Sequence, residues 1–151
     1  ETAIGLELQP LSLIVRQAFD EYLEDRLIGR HLRRVDRRYY GPNTNFSIWY
    51  HGPLDTNVFL WQDVTSDQIK RAEIELDGRI LIFEGDEILG GGTLPRTLAG
   101  QVVPSLIPNQ ELTILDRELP LVKRVVSILS QVDEPRGPMR DFLSHFIGGG
   151  S

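Results

Sequence analysis

The sequence contains no cysteine, and this absence removes several kinds of chemistry at once. Disulfide bonds, thiolate nucleophiles and zinc sites built from cysteine are all excluded. The stability of the fold must therefore come from packing and hydrogen bonding. A chain without disulfides suits a reducing compartment, and we expect a cytoplasmic protein.

Long hydrophobic runs are missing as well. A helix that spans a bilayer needs roughly 18 or more consecutive apolar residues, and no stretch of the sequence approaches that length. The first residues also lack the basic-then-apolar layout of a secretory signal. We therefore expect a soluble protein that has no membrane partner.

What the sequence does contain is an ordinary globular composition. Its 151 residues are 40% hydrophobic and 25% charged, which suits one compact core. We assign residues 1–147 to a single domain. The closing residues 148–151, Gly-Gly-Gly-Ser, are expected to form a flexible linker or tail.

An amphipathic helix is predicted after Pro10, where a first-turn proline is favoured. Gly29 interrupts the pattern at a cost of about 1 kcal/mol relative to alanine. The segment through Leu32 and Val35 is therefore expected to be a kinked continuation or a second short helix. The apolar residues that recur at three- and four-residue spacing are Leu11, Val15, Ala18, Phe19, Tyr22, Leu23 and Leu27.

Two hairpins are predicted next. Residues 46–50 and 58–62 are rich in aromatic and β-branched side chains, and residues 71–76 alternate strictly before Asp77-Gly78 and a second apolar run at 79–83. The alternation places Arg71, Glu73 and Glu75 on one face, which we expect to be solvated. The run 79–83 is apolar on both faces, which predicts an interior strand or a contact on its second face.

The rest of the chain predicts a long loop and two helices. Glycine and proline from Gly85 to Asn109 favour a loop, with a short strand near residues 101–103. Another strand is predicted at 111–115, then a helix capped by Asp116 and a terminal helix from about Pro138. The fold class is α+β: a mostly antiparallel sheet of four to six strands, with an N-terminal amphipathic helix and C-terminal helices packed on one face.

The densest chemical feature is a basic stripe from Arg26 to Arg38. It holds six arginines and one aspartate, a net charge of +5 that leaves −11 on the rest of the chain out of a total of −6. Guanidinium groups bind phosphate and carboxylate bidentately, and the adjacent Tyr39 and Tyr40 could stack on a base. The candidate anion-binding residues are Arg30, Arg33, Arg34, Arg37 and Arg38.

Two other interpretations of this stripe stay open. The arginines could pair one or two helical turns upstream with Asp20, Glu21, Glu24 and Asp25 as a solvated helix face. They could also contact the acidic remainder, within the chain or between subunits.

Apolar and aromatic residues suggest an interface. The terminal helix places large apolar groups on one side, and two tryptophans lie on predicted strands, which is typical of partner docking but also of ordinary core packing. The candidate interface residues are Trp49, Trp61, Met139, Phe142, Leu143, Phe146 and Ile147.

Catalytic and cofactor motifs receive little support. The glycine-rich segment after Gly85 lacks the lysine and hydroxyl of a Walker loop, no serine lies in a nucleophile elbow, and the three histidines are far apart. We expect no cofactor, no metal and no catalytic residue. Arg96 is the candidate for holding an anion if a substrate pocket lies beneath the loop.

Three functional hypotheses follow. The first is a non-catalytic binding or protein-interaction module that associates with itself. The alternative is an anion or nucleic-acid binding domain that uses the stripe from Arg26 to Arg38. The third is a small enzyme with a pocket under the loop from Gly85 to Asn109.

Overall fold

The computed structural model describes residues 12–40, 44–92 and 112–148. Within these residues the chain forms three α-helices, a short 3-10 helix at Arg37–Tyr39 and one sheet of seven strands. The helices are α1 (Leu13–His31), α2 (Pro120–Ser130) and α3 (Pro138–Gly148). The strands are β1 (Arg33–Arg34), β2 (Ile48–His51), β3 (Asn57–Gln62), β4 (Ile69–Leu76), β5 (Arg79–Glu84), β6 (Glu87–Gly92) and β7 (Thr113–Ile114). The α+β class is as predicted.

The sheet is an antiparallel meander in which the strands follow one another in chain order from β1 to β7. Its seven strands exceed the four to six predicted. Strand β7 lies within the strand predicted at 111–115. The edge strand β1 has only two residues and carries too little sequence pattern to be recognised. The second unforeseen strand, β6, lies inside the region predicted to be loop.

The β4–β5 hairpin forms as predicted. Asp77 and Gly78 both have positive φ, 50° and 69°, as a two-residue turn with the twist of the strands requires. Ile74 lies opposite Leu81 in the register that this turn sets. Strand β5 is interior to the sheet, between β4 and β6, and its residues 80–83 are all buried.

The loop prediction was wrong for residues 87–92, which form β6 and pair with the whole length of β5. A Cβ atom on Gly90 would lie 2.4 Å from Cδ1 of Leu115, so a larger residue here would force the Leu115 side chain to move. Gly90 therefore marks close packing between β6 and Leu115. The strand predicted near residues 101–103 lies outside the described residues.

Two further boundaries differ from prediction. Residues 33–34 form a strand at the sheet edge, where a helical continuation was expected, because α1 ends at His31 and Leu32 is extended (φ −62°, ψ 120°). Helix α2 begins at Pro120 after Leu119, so Asp116 is not its N-cap. Asp116 accepts instead from the backbone N of Glu118, at 2.8 Å, in the preceding turn.

One face of the sheet carries the main core and is covered by helices. Val58, Ile74 and Phe83 of the sheet are buried in one cluster with α2 and α3 residues such as Val125 and Phe142. The rings of Phe83 and Phe142 meet edge to face at 5.5 Å. This cover by helices on one face is as predicted.

Gly29 sets the crossing of α1 and α2. Helix α1 runs through this glycine to His31, although a kink or an end was expected there. A Cβ atom at position 29 would lie 2.2 Å from the backbone oxygen of Ile128 and 2.6 Å from Cβ of Gln131. The glycine therefore allows the two helices to approach backbone to backbone.

Arg124 on α2 fixes the same crossing electrostatically. Its Nε donates to Oδ1 of Asp25 on α1, and its Nη1 donates to Oδ2 of Asp77 in the β4–β5 turn, each at 2.8 Å. These two carboxylates raise the pKa of the Arg124 guanidinium above its ordinary value. One side chain thus joins α1, α2 and the sheet.

We predict that Gly29→Ala destabilises the protein. Alanine normally favours a helix interior, but here its methyl group would overlap the α2 backbone, and overpacking of this kind costs about 1–3 kcal/mol. Urea unfolding measures the change. The control is Gln17→Ala at an exposed position of the same helix, and a Gly29→Ala protein as stable as this control would contradict the packing argument.

Candidate interaction surface

Helix α1 is attached to the body at one end. Of its 19 residues, only Ile28 and Gly29 are buried, and both lie in the last two turns. Its N-terminus is capped locally, since the Ser12 hydroxyl accepts from the backbone N of Val15 at 3.4 Å. The first turns of the helix therefore obtain little support from tertiary packing.

The exposed part of α1 carries a set of large apolar side chains on one side. Their spacing of three and four residues places them along neighbouring turns, and each is between 46% and 55% exposed. This surface, the α1 stripe, consists of Val15, Phe19, Tyr22, Leu23 and Leu27. Leu13 and Ile14, at 79% and 80%, add exposed apolar groups at the start of the helix.

An apolar groove continues the α1 stripe toward the sheet. It has a volume of about 850 Å³ and lies between α1 and the β2–β3 turn, with Leu23 and Leu27 on one wall and Pro53 and Leu54 on the other. Leu54 is itself 57% exposed. The groove makes the uncovered surface wider than a single helix face.

Charge is divided along α1 and the segment that follows it. Residues 17–25 carry four carboxylates, Asp20, Glu21, Glu24 and Asp25, and no lysine or arginine. Residues 26–38 carry the net charge of +5. The acidic segment therefore lies beside the middle of the α1 stripe, and the basic segment begins at the C-terminal end of the stripe.

The candidate anion-binding arginines lie at the β1 edge of the sheet. Arg30 ends α1, Arg33 and Arg34 form β1, and Arg37 and Arg38 belong to the 3-10 helix. All five are exposed, and together we call them the basic edge. They do not form one continuous helix face, because the chain changes from helix to strand at Leu32.

The proposed pairing of these arginines with upstream carboxylates is not found within the described residues. Asp25 binds Arg124, and Arg38 pairs with its neighbour Asp36 at 2.8 Å, which lowers the pKa of the Asp36 carboxyl. Arg33 donates to the backbone oxygen of Leu32 at 3.1 Å, close to the end of α1. Two of the five arginines are therefore held in local contacts.

The two tyrosines that follow the arginines in the sequence differ in exposure. Tyr39 is 77% exposed, whereas Tyr40 is 7% exposed and packs its ring 5.0 Å from that of Phe46. Only Tyr39 is therefore available to stack on a ligand beside Arg37.

Trp49 and Trp61 are half-buried on the second face of the sheet. They surround a small aromatic cluster of Tyr40, Phe46 and Phe59. The Trp49 indole donates to Oδ1 of Asn57 at 3.0 Å, and the Arg71 guanidinium lies 5.2 Å from the centre of the Trp61 ring. Both indoles are therefore fixed by contacts within the chain.

Glu73 is buried, although its face of the sheet was predicted to be solvated. It is 2% exposed, between Phe59 and Ile82 on the neighbouring strands, and it pairs with Arg71. Its Oε2 atom has no hydrogen-bond partner among the described residues. Arg71 also reaches Glu84 at 3.1 Å, so the charges on this face form a partly buried network.

The terminal-helix residues proposed for an interface lie in the core. Met139, Phe142, Leu143 and Phe146 are between 1% and 9% exposed and pack against the sheet. The helix follows Gly137 (φ 146°), and its Phe142 and Phe146 rings pack against Phe83 of β5. The side chain of Ile147 and the whole of Arg96 lie outside the described residues.

No metal or membrane feature was found in the ranges that the structure covers. These residues contain no group of three or more His, Asp or Glu side chains that could hold a metal ion. None of their helices is long and apolar enough to cross a bilayer. The proposed pocket beneath residues 85–109 cannot lie under a continuous loop, since 87–92 is strand.

The α1 stripe was visible in the sequence, but its exposure was not. The periodicity identified the helix and its apolar side, which is ordinarily the side that packs on a core. The pattern does not indicate that only the last turns of α1 pack on the rest of the protein. The chain matches no protein-family model, and searches of curated proteins and of solved structures found no match, so similarity assigns no family.

Hydrogen exchange in dilute solution will show how α1 is supported. We predict that amides of residues 15–23 exchange at least about tenfold faster than those of residues 25–31, because only the latter pack on α2. Uniform protection along α1 would contradict the one-ended attachment.

Proposed function

We propose that this protein is a non-catalytic interaction module that associates with a second copy of itself through the α1 stripe. One observation carries the proposal: five large apolar side chains stand about half exposed on a helix held only at its last turns. Exposed apolar surface of this kind commonly marks an interaction site.

Covering the stripe would stabilise both the surface and the helix beneath it. Full burial of a large apolar side chain contributes roughly 1.5–3 kcal/mol, so covering a half-exposed side chain would add a substantial part of that stabilising free energy. Isolated helical segments shorter than about 12–15 residues are marginal in water. The N-terminal turns of α1 therefore gain order as well as burial when a partner packs on them.

Charge favours a second copy as that partner. In an antiparallel pair of α1 helices, the acidic residues 17–25 of one copy would lie near Arg26 and Arg30 at the basic end of the other. Parallel association would instead place like charges together. Under this proposal the arginines contact acidic residues of a partner subunit, which is one of the interpretations that the sequence left open.

The proposed interface differs from the residues suggested by sequence. The buried side chains of α3 are committed to the core, and Trp49 and Trp61 are held in the aromatic cluster. The α1 stripe replaces them because its side chains require no rearrangement to reach a partner.

Sedimentation velocity over a hundredfold concentration range tests the proposal. The double variant Phe19→Glu, Leu23→Glu should weaken self-association at least about a hundredfold, since it removes roughly 3 kcal/mol of apolar burial. The matched control is Val64→Glu, which replaces an exposed apolar side chain with a carboxylate in the β3–β4 turn, outside α1, and should leave association unchanged. A wild-type monomer at every concentration would refute self-association, and equal weakening by the control would refute the stripe as the contact.

An anion or nucleic-acid contact at the basic edge is the second candidate. Arg30, Arg34 and Arg37 are exposed without a carboxylate partner among the described residues, and Tyr39 beside them is open to stacking. Phosphate contacts made by such groups are strongly weakened by salt.

Fluorescence anisotropy with a short single-stranded oligonucleotide at low salt tests this candidate. If it holds, Arg34→Gln with Arg37→Gln should weaken binding at least about tenfold and reduce the salt dependence, whereas Arg140→Gln on α3 should change neither. Absence of binding at low salt, or equal loss in the Arg140→Gln control, would eliminate it.

A further inference from the structure

A second apolar cavity is lined by residues that lie far from α1 in the sequence. This α2–α3 cleft has a volume of about 360 Å³ and opens between α2, the end of α3 and strands β5 and β6. Its floor is formed by side chains of the main core, Phe83, Ile88, Val122 and Phe146. The volume falls in the lower part of the range of roughly 300–1,000 Å³ for small-molecule sites.

The rim of the cleft is charged. Lys123 pairs with Glu118, Nζ to Oε2 at 2.6 Å, so these two charges offset each other. Arg117 donates from Nη1 to the backbone oxygen of Phe146 at 3.1 Å and has no carboxylate partner among the described residues. A guanidinium carries five N–H donors, so Arg117 keeps donors for a ligand.

From this combination we propose that the α2–α3 cleft binds a small amphiphilic monocarboxylate. The single apolar tail packs on the floor, and the carboxylate binds the Arg117 guanidinium at the mouth. Arg117 supplies the one positive charge that the rim does not neutralise, and guanidinium and carboxylate match in bidentate geometry. A neutral apolar molecule would leave that charge without a partner, and a small polar anion would leave the floor uncovered.

This proposal is independent of the α1 stripe. The cleft residues belong to α2, α3, β5, β6 and the turn before α2, and none of them is part of α1. Self-association and ligand binding can therefore fail separately.

A titration followed by amide chemical shifts tests the cleft, with octanoate as the probe. Saturable shifts should appear at Val122, Val126 and Phe146. Octanol, which keeps the tail without the charge, and acetate, which keeps the charge without the tail, should each bind at least about tenfold more weakly.

Variants separate the cleft from unspecific binding. Arg117→Gln should weaken octanoate binding at least about tenfold and leave octanol binding unchanged, while Arg140→Gln, on an exposed part of α3, should change neither. Val126→Phe, which narrows the cleft from α2, should abolish binding of octanoate and octanol. If Val126→Phe disturbs the spectrum beyond the cleft, the comparison of Arg117→Gln with Arg140→Gln decides the matter alone.

Several results would overturn the proposal. These are octanoate shifts that do not saturate, shifts that map to the α1 stripe, equal affinity for octanol and octanoate, or unchanged octanoate affinity in Arg117→Gln.

Discussion

The close contact between α1 and α2 at Gly29 is the constraint on which the rest of the surface depends. The absence of a side chain lets the α1 backbone approach the Ile128 carbonyl, and the ion pair between Asp25 and Arg124 fixes the crossing beside it. Both contacts lie near the end of α1 that joins the sheet. The preceding turns of α1 therefore make little contact with the rest of the protein, and their apolar side chains are about half exposed.

The two faces of the sheet have different roles in this arrangement. One face is closed by α2 and α3, which use their apolar side chains in the core and border the α2–α3 cleft. The other face holds the aromatic cluster and the network of Arg71 with Glu73 and Glu84. These groups are held by contacts within the chain, whereas the side chains of the α1 stripe are about half exposed, which is why we propose the stripe as the contact surface.

The sequence predicted what short-range patterns determine. Strict alternation and the Asp77-Gly78 turn identified the β4–β5 hairpin, because both signals act within a few residues. Gly90 misled the prediction, because it meets Leu115, a contact 25 positions away that no local pattern records. The exposure of the α1 stripe could not be predicted for the same reason, since periodicity shows that a helix has an apolar side but not whether anything covers it.

The chain contains no cysteine, so a single engineered cysteine, Gln17→Cys, can carry a spin label. Mixing spin-labelled protein with ¹⁵N-labelled protein then tests the pairing of two copies directly. Antiparallel pairing predicts that the label on one copy broadens amides near Arg26 and Arg30 of the second copy in the mixed sample. Unbroadened amides throughout the ¹⁵N-labelled copy, at concentrations well above micromolar, would contradict the account.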